Sequence, residues 1–242
     1  CKENKKKIKL LVSIRSIEEV KVVNGLNIDI IDLKEPKNGP IGMLDFIDIK
    51  KIVLALRDNN FCGKVSTTFE LNDGNLSGAD IAKIENLGSV GLDYIKVGVS
   101  ADGNTWANLT KFTESLNKIK NQVLRNKLIL VLMITDKHSF KFIRNISPSM
   151  VRKFSGIMID TLNKESGSIF DIVNVTELNI IKKFTLENNI DFGIAGSLDV
   201  SHTKLINQLQ PNWVGYRGGV CLKKRSGPLS RARLENLIDS FC

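Results

Sequence analysis

Lysines and aspartates stand at the ends of several short apolar runs. Asp32 and Lys34 close the run Ile-Asp-Ile-Ile-Asp-Leu-Lys and share one face of an extended strand. Lys96 lies inside Tyr-Ile-Lys-Val-Gly, and Asp160 closes a later run, with Lys164 in the segment that follows. Burying such charges is costly unless they are paired or used. If the runs are strands that end at one rim, they predict a cluster of reactive amines and carboxylates.

Such a cluster suits carbonyl chemistry. A lysine buried near other cations loses proton affinity, and its neutral amine can attack a carbonyl or act as a base. The alternative is an aspartate–lysine ion pair that only stabilises a strand end, because structural ion pairs also perturb pKa values. The recurrence of the pattern at three strand ends favours catalysis.

Glycines close the last two apolar runs. Gly196 and Ser197 end the seventh, and Arg217, Gly218 and Gly219 end the eighth. Glycine loops let backbone N–H groups approach an anion, and an arginine adds a planar fork of donors. Plain turns are the alternative reading of the glycines. Their place after the last two strands favours a phosphate site.

The elements that must position these residues alternate between strand-like and helix-like patterns. Helix-like stretches separate the strands; the first, Ser16–Asn24, begins with a Ser-x-x-Glu pattern that predicts a capping box between Ser16 and Glu19. The pattern predicts eight strands, at Leu10–Ile14, Asp29–Lys34, Lys64–Phe69, Asp93–Val99, Leu128–Ile134, Gly156–Thr161, Asp191–Ser197 and Trp213–Gly218.

This alternation predicts an α/β protein with the fold of a (β/α)₈ TIM barrel. We expect one domain over residues 1–242, with residues 1–9 as a flexible basic tail. No apolar run reaches the ~20 residues needed to span a bilayer, and no secretory signal is recognisable, so we expect a cytoplasmic protein. The four cysteines show no metal-binding spacing, so no metal is expected.

The formal net charge of +9 admits nucleic acid, a membrane surface or acidic small molecules as partners. Part of it comes from Lys223, Lys224 and Arg225, which either cover a phosphate or form a solvated surface. A polyanion-binding protein would carry basic residues with exposed aromatics on an outer face, and aromatics are few here. Phosphorylated small molecules are therefore the expected partners.

Taken together, the motifs resemble the (5-formylfuran-3-yl)methyl phosphate synthase family, from about Leu10 to the C-terminus. The resemblance rests on the combination of five segments: Asp29-Ile-Ile-Asp-Leu-Lys-Glu-Pro-Lys-Asn-Gly-Pro-Ile-Gly42, Asp93-Tyr-Ile-Lys-Val-Gly98, Ile159-Asp-Thr-Leu-Asn-Lys-Glu-Ser-Gly167, Ala195-Gly-Ser197 and Val214-Gly-Tyr-Arg-Gly-Gly219.

The resemblance implies a (β/α)₈ barrel that condenses two molecules of glyceraldehyde 3-phosphate into a furan phosphate, a methanofuran precursor in one-carbon metabolism. It implies Lys34 as the Schiff-base lysine and Lys96 as the proton acceptor, with Lys164, Asp32 and Asp160 completing proton transfer. We expect a carbon–oxygen lyase that needs no cofactor, binds phosphorylated trioses rather than nucleic acid or membrane, and forms a homo-oligomer.

The sequence departs from the family pattern at two strand ends. A Gly-Asp pair is expected after the third strand, where this chain has Thr68-Phe69-Glu70, and the run after the fifth strand keeps only Asp136, preceded by Thr135. These changes bear on the shape of the pocket. Another Schiff-base aldolase, or a phosphate-binding isomerase on the same fold, stays open as an alternative.

Overall fold

The fold is given by a computed structural model, which describes residues 7–71, 76–101, 105–143, 146–163 and 167–241. Parallel strands close into a barrel in chain order, and the last strand pairs with the first. This confirms the predicted (β/α)₈ barrel. The strands are β1 (Lys9–Ile14), β2 (Ile30–Leu33), β3 (Lys64–Glu70), β4 (Tyr94–Ser100), β5 (Leu128–Ile134), β6 (Gly156–Thr161), β7 (Asp191–Ile194) and β8 (Trp213–Tyr216).

Helices surround the barrel, and the main core lies between the two layers. Several begin where the sequence places a capping residue; for example, the Ser77 hydroxyl accepts from the Asp80 N–H while the Asp80 carboxylate accepts from the Ser77 N–H. The helices are α1 (Ile17–Val23), α2 (Phe46–Asp58), α3 (Gly78–Gly88), α4 (Thr105–Ser115), α5 (Gln122–Arg125), α6 (Lys137–Ile143), α7 (Pro148–Val151), α8 (Ile169–Ile172), α9 (Val175–Glu187), α10 (Thr203–Leu209) and α11 (Arg231–Asp239).

Side chains alternate between the inside of the barrel and the helix layer, as a strand requires. On β2, Ile31 and Leu33 pack in the core beneath the helices, whereas Ile30 packs inside the barrel with Leu11 and Trp213. Asp32 therefore faces inward, one layer above Ile30. The barrel interior is apolar below this layer and polar at its C-terminal mouth, the end at which the strands terminate.

The observed boundaries correct two expectations. Residues 1–6 lie outside the described part, but Ile8 is buried and Lys9 already belongs to β1, so the barrel begins within the expected tail. β7 ends at Ile194 and β8 at Tyr216, so the glycine motifs lie in loops beyond the strands. No helix in the described ranges is long and apolar enough to cross a membrane.

The capping box predicted for α1 is wrong. Ser16 occupies the N-cap position, but its side chain makes no capping hydrogen bond. The Glu19 carboxylate instead accepts from the Arg15 N–H at 2.9 Å and pairs with Arg217. A full arginine charge attracts the carboxylate more strongly than a neutral backbone donor does.

Candidate active site

Asp32 is the centre of the polar layer inside the barrel. Strand register places Ser13 of β1 and Ser66 of β3 directly beside it. The Ser13 hydroxyl donates to Oδ2 at 3.0 Å, and the Ser66 hydroxyl donates to Oδ1 at 2.7 Å. Lys96 Nζ lies 2.7 Å from Oδ2. The carboxylate is thus held on both oxygens and is fully buried, at 0% exposure.

Two opposing effects act on the pKa of Asp32. Burial favours the neutral carboxyl group, but the charges of Lys96 and Lys34 and the hydrogen bonds from Lys96 and Ser66 outweigh it, so the pKa is lowered. The group is therefore a carboxylate near neutral pH. Sequence reasoning singled out Asp32 and Lys96 but missed the two serines. The polar residues at inward-facing strand positions were the available signal.

Lys34 follows directly on β2, and its backbone N–H donates to the Ile14 carbonyl at 3.0 Å. Its side chain is buried, with Nζ 3.3 Å from the Pro40 carbonyl oxygen. Lys34 lines one pocket together with Lys96 and Asp160. The structure therefore brings together two of the three predicted amines and the second predicted carboxylate.

Asp160 lies on β6, across the pocket from β2, and is buried. Its Oδ1 accepts from the Thr161 N–H at 2.8 Å, which fixes the carboxylate at the end of the strand. Lys164, the remaining predicted catalytic residue, lies outside the described residues.

The loop after β2 folds inward over the barrel. The Glu35 N–H donates to the Gly42 carbonyl at 2.9 Å, and the Thr68 hydroxyl donates to the same carbonyl at 3.0 Å. Ile41 enters the interior cluster and occupies the space above Gly98, where any Cβ would overlap its side chain. The long Lys34–Gly42 segment is therefore a wall of the pocket.

The glycine loops after β7 and β8 line the same pocket. Gly196 has φ +111°, and a Cβ there would lie 2.7 Å from Thr161 Cγ2, so the close approach to β6 requires glycine. Ser197 is also in the left-handed region, with φ +49°. The described residues provide no acceptor for the N–H groups of Gly196 and Gly218, nor for that of Gly219, which follows Gly218 in its loop but does not itself line the pocket. Clustered backbone N–H groups of this kind suit an anion.

Arg217 does not serve as the expected fork for a phosphate. Its guanidinium pairs with both oxygens of Glu19, at 2.6 and 2.9 Å. Its other N–H groups donate to the carbonyls of Ser13, Arg225 and Gly227. All five guanidinium N–H groups are thus used within the protein. In this loop, a ligand can therefore be bound by backbone N–H groups but not by the Arg217 side chain.

The two departures from the family pattern concern the acidic residues Asp136 and Glu70, and the structure describes the side chain of Asp136. Asp136 accepts from the Ser139 N–H at 2.7 Å and caps the start of α6, and this hydrogen bond lowers its pKa. Glu70 ends β3, but its side chain lies outside the described part of the structure. Within the described residues, no three histidine, cysteine, aspartate or glutamate side chains cluster as metal ligands.

Comparison with known proteins places the chain in a family. The family model described as 4-HFC-P synthase matches residues 10–238. The chain belongs to the 4-HFC-P synthase family. It is similar to the (5-formylfuran-3-yl)methyl phosphate synthase of Methanosarcina mazei, with 27% identity over 96% of this chain and 98% of that protein. The enzyme of the same name from Archaeoglobus fulgidus is 24% identical over 96% of this chain and 99% of that protein.

Solved structures with the same fold are far more distant in sequence. Phosphoribosyl anthranilate isomerase from Thermus thermophilus superposes with a TM-score of 0.62 at 9% identity, covering 96% of this chain and 98% of that one. KGPDC from Streptococcus mutans has a TM-score of 0.53 at 12% identity, covering 97% and 99%. At these identities the likeness establishes the barrel alone.

Proposed function

We propose that the protein condenses two molecules of glyceraldehyde 3-phosphate into (5-formylfuran-3-yl)methyl phosphate through a Schiff base on Lys34. One observation carries the proposal. In a chain of the 4-HFC-P synthase family, Lys34, Lys96 and Asp160 line a single pocket at the barrel mouth, with Asp32 behind them. Active sites of this fold lie at that mouth.

In the proposed first step, the neutral Lys34 amine attacks the aldehyde carbon of one triose, and water leaves as the imine forms. The protonated imine withdraws electrons from the neighbouring carbon, so a proton is lost there more easily than from the free aldehyde. Phosphate then leaves from C3 of this triose, and the same carbon, now the nucleophilic carbon of an enol, attacks the C2 carbonyl of the second triose after that molecule has isomerised from aldehyde to ketone. The C1 hydroxyl of the second triose closes the ring onto C2 of the first. Loss of two molecules of water and hydrolysis of the imine give the furan, one inorganic phosphate and the free Lys34 amine.

Each later step needs a group that accepts or donates a proton. The Asp32–Lys96 pair can act as one unit in this role, because Nζ and Oδ2 lie 2.7 Å apart and Ser13 and Ser66 fix the carboxylate. Asp160, on the opposite side of the pocket, would serve the leaving hydroxyl groups. Lys164 enters the proposal through its family motif alone.

The backbone cradle of Gly196, Ser197, Gly218 and Gly219 is the proposed phosphate site. Backbone N–H groups at this position hold phosphates in many barrels, and a phosphorylated substrate would supply acceptors for the N–H groups of Gly196, Gly218 and Gly219, which have none among the described residues.

The test is borohydride trapping with glyceraldehyde 3-phosphate, followed by peptide mapping, with furan absorbance and phosphate release measured in parallel. We expect a reduced adduct on Lys34 and formation of the furan. Lys34→Arg keeps the charge but cannot form the imine, so it should give neither product. Lys37→Arg is the matched control, because Lys37 belongs to the same loop but is exposed and outside the pocket.

The outcomes separate the alternatives. An adduct on Lys34 without furan would reject the proposed product in favour of another Schiff-base aldolase. Absence of any adduct from folded wild-type protein would overturn the Schiff base itself.

A further inference from the structure

Two arginines, Arg217 and Arg225, line the pocket, and their guanidinium groups differ in the number of hydrogen bonds that they form. Arg217 gives every guanidinium N–H to groups of the protein, as described above. The Arg225 guanidinium donates to a single acceptor among the described residues, the Gly39 carbonyl at 3.0 Å. Within the part of the chain that the structure describes, its other four guanidinium N–H groups have no acceptor.

Arg225 lies at the middle of a loop whose ends are joined by backbone hydrogen bonds. An antiparallel bridge between Cys221 and Leu229 closes the loop, and the Leu222 N–H donates to the Pro228 carbonyl at 2.9 Å. The Arg225 carbonyl accepts from Arg217 Nε at 2.9 Å. Arg217 is therefore a positioning residue that fixes the backbone of Arg225.

The position of Arg225 links it to the glycine cradle. Its Cβ lies 3.7 Å from the point where a Cβ on Gly218 would be. The bond to Gly39 connects the β8 loop to the β2 loop, so the guanidinium spans the pocket between the cradle and the loop that follows Lys34.

The charge of Arg225 is not neutralised by a contact within the described chain, where it forms no ion pair with a carboxylate at bonding distance. Partial burial lowers its pKa, and the charge of Asp160 acts in the opposite direction. A half-buried guanidinium in this situation gains from binding an anion, because each charge-assisted hydrogen bond then replaces a lost contact with water.

We propose that Arg225 is the anion-binding side chain of the phosphate subsite, where its guanidinium contacts the phosphate monoester held by the backbone N–H groups of Gly196, Gly218 and Gly219. This assigns to Arg225 the role that the sequence had suggested for Arg217. It rests on the proposed function for the identity of the substrate, but not for the binding of phosphate itself.

The first test measures binding of inorganic phosphate by calorimetry to the full chain. Arg225→Ala should weaken binding about 10- to 100-fold, the loss expected for hydrogen bonds to a charged group. Arg225→Gln, which keeps a shorter polar side chain but removes the charge, should bind phosphate nearly as weakly, and urea unfolding of both variants tests whether the fold is retained. Lys224→Ala is the matched control: it removes one charge from the same loop, but Lys224 is exposed and outside the pocket.

The second test compares borohydride trapping of glyceraldehyde 3-phosphate with that of unphosphorylated glyceraldehyde. Wild-type protein should prefer the phosphorylated aldehyde, and this preference should be about 10- to 100-fold smaller in Arg225→Ala. Lys224→Ala should keep the wild-type preference. Phosphate binding that is the same in Arg225→Ala and wild type, or absent from both, would overturn the inference. Loss of phosphate binding in Arg225→Ala, in a protein that forms no adduct, would support Arg225 and reject only the proposed reaction.

Discussion

Replacing Asp32 with asparagine isolates the charge of the buried carboxylate from its shape. The amide oxygen can still accept from Lys96 and Ser13, and the Ser66 hydroxyl can rotate to accept from the amide nitrogen. The geometry of the three contacts, at 2.7 to 3.0 Å, is thus retained, and the lost quantity is the negative charge beside the Lys96 ammonium group. Removing one partner of a buried ion pair costs about 3–5 kcal/mol. We expect Asp32→Asn to lower the free energy of unfolding by that amount at pH 7.

The stability lost in Asp32→Asn should depend on pH. The pKa of Asp32 is lowered in the folded protein, so its contribution is fully present above the unfolded value of about 4 and is lost as the pH falls through the lower folded value. The asparagine variant lacks this titration. The stability difference between wild type and variant should therefore be constant from pH 7 to about 5 and should narrow below about pH 4.

Urea unfolding followed by circular dichroism measures both quantities, with furan formation as the functional assay. Activity should fall by about 100-fold or more if the Asp32–Lys96 pair transfers protons. Asp58→Asn, at an exposed aspartate, should change stability by less than about 0.5 kcal/mol. A stability loss below about 1 kcal/mol for Asp32→Asn, or one that does not depend on pH, would refute the assignment of a charged, paired Asp32.

Two further predictions concern the walls of the site. Glu19→Gln leaves the Arg217 guanidinium buried without its carboxylate and should lower the free energy of unfolding in urea by about 3–5 kcal/mol. The control Glu235→Gln, in an ion pair whose side chains are 49% and 50% exposed, should lower it by less than about 1 kcal/mol. Equal losses would contradict the structural role of Arg217. Gly98→Ala should displace Ile41 from the barrel mouth, which should lower the free energy of unfolding by about 1–3 kcal/mol and also lower kcat/KM. The control Gly78→Ala, where an added Cβ meets no atom within 4 Å, should leave stability unchanged or increase it. Unchanged kcat/KM in Gly98→Ala would show that Ile41 does not shape the pocket.

The amino-acid sequence by itself determined the barrel and the residues at its mouth. The two-residue period of the strands and the helical period between them are local properties, readable without knowing any partner. Asp32 and Lys34 could be placed at one strand end for the same reason. The motifs around them were also specific enough to indicate the family, which the match over residues 10–238 confirms.

Only the tertiary structure decided which charged groups pair with each other. Glu19 was expected to cap its own helix, but its partner Arg217 is 198 residues away in the chain. That pairing depends on closure of the barrel between β1 and β8, which brings α1 and the loop after β8 together. Strand register likewise placed Ser13 and Ser66 beside Asp32. Arg217 and Arg225 thus have different hydrogen-bond partners, because each side chain binds the groups that the closed barrel brings within its reach.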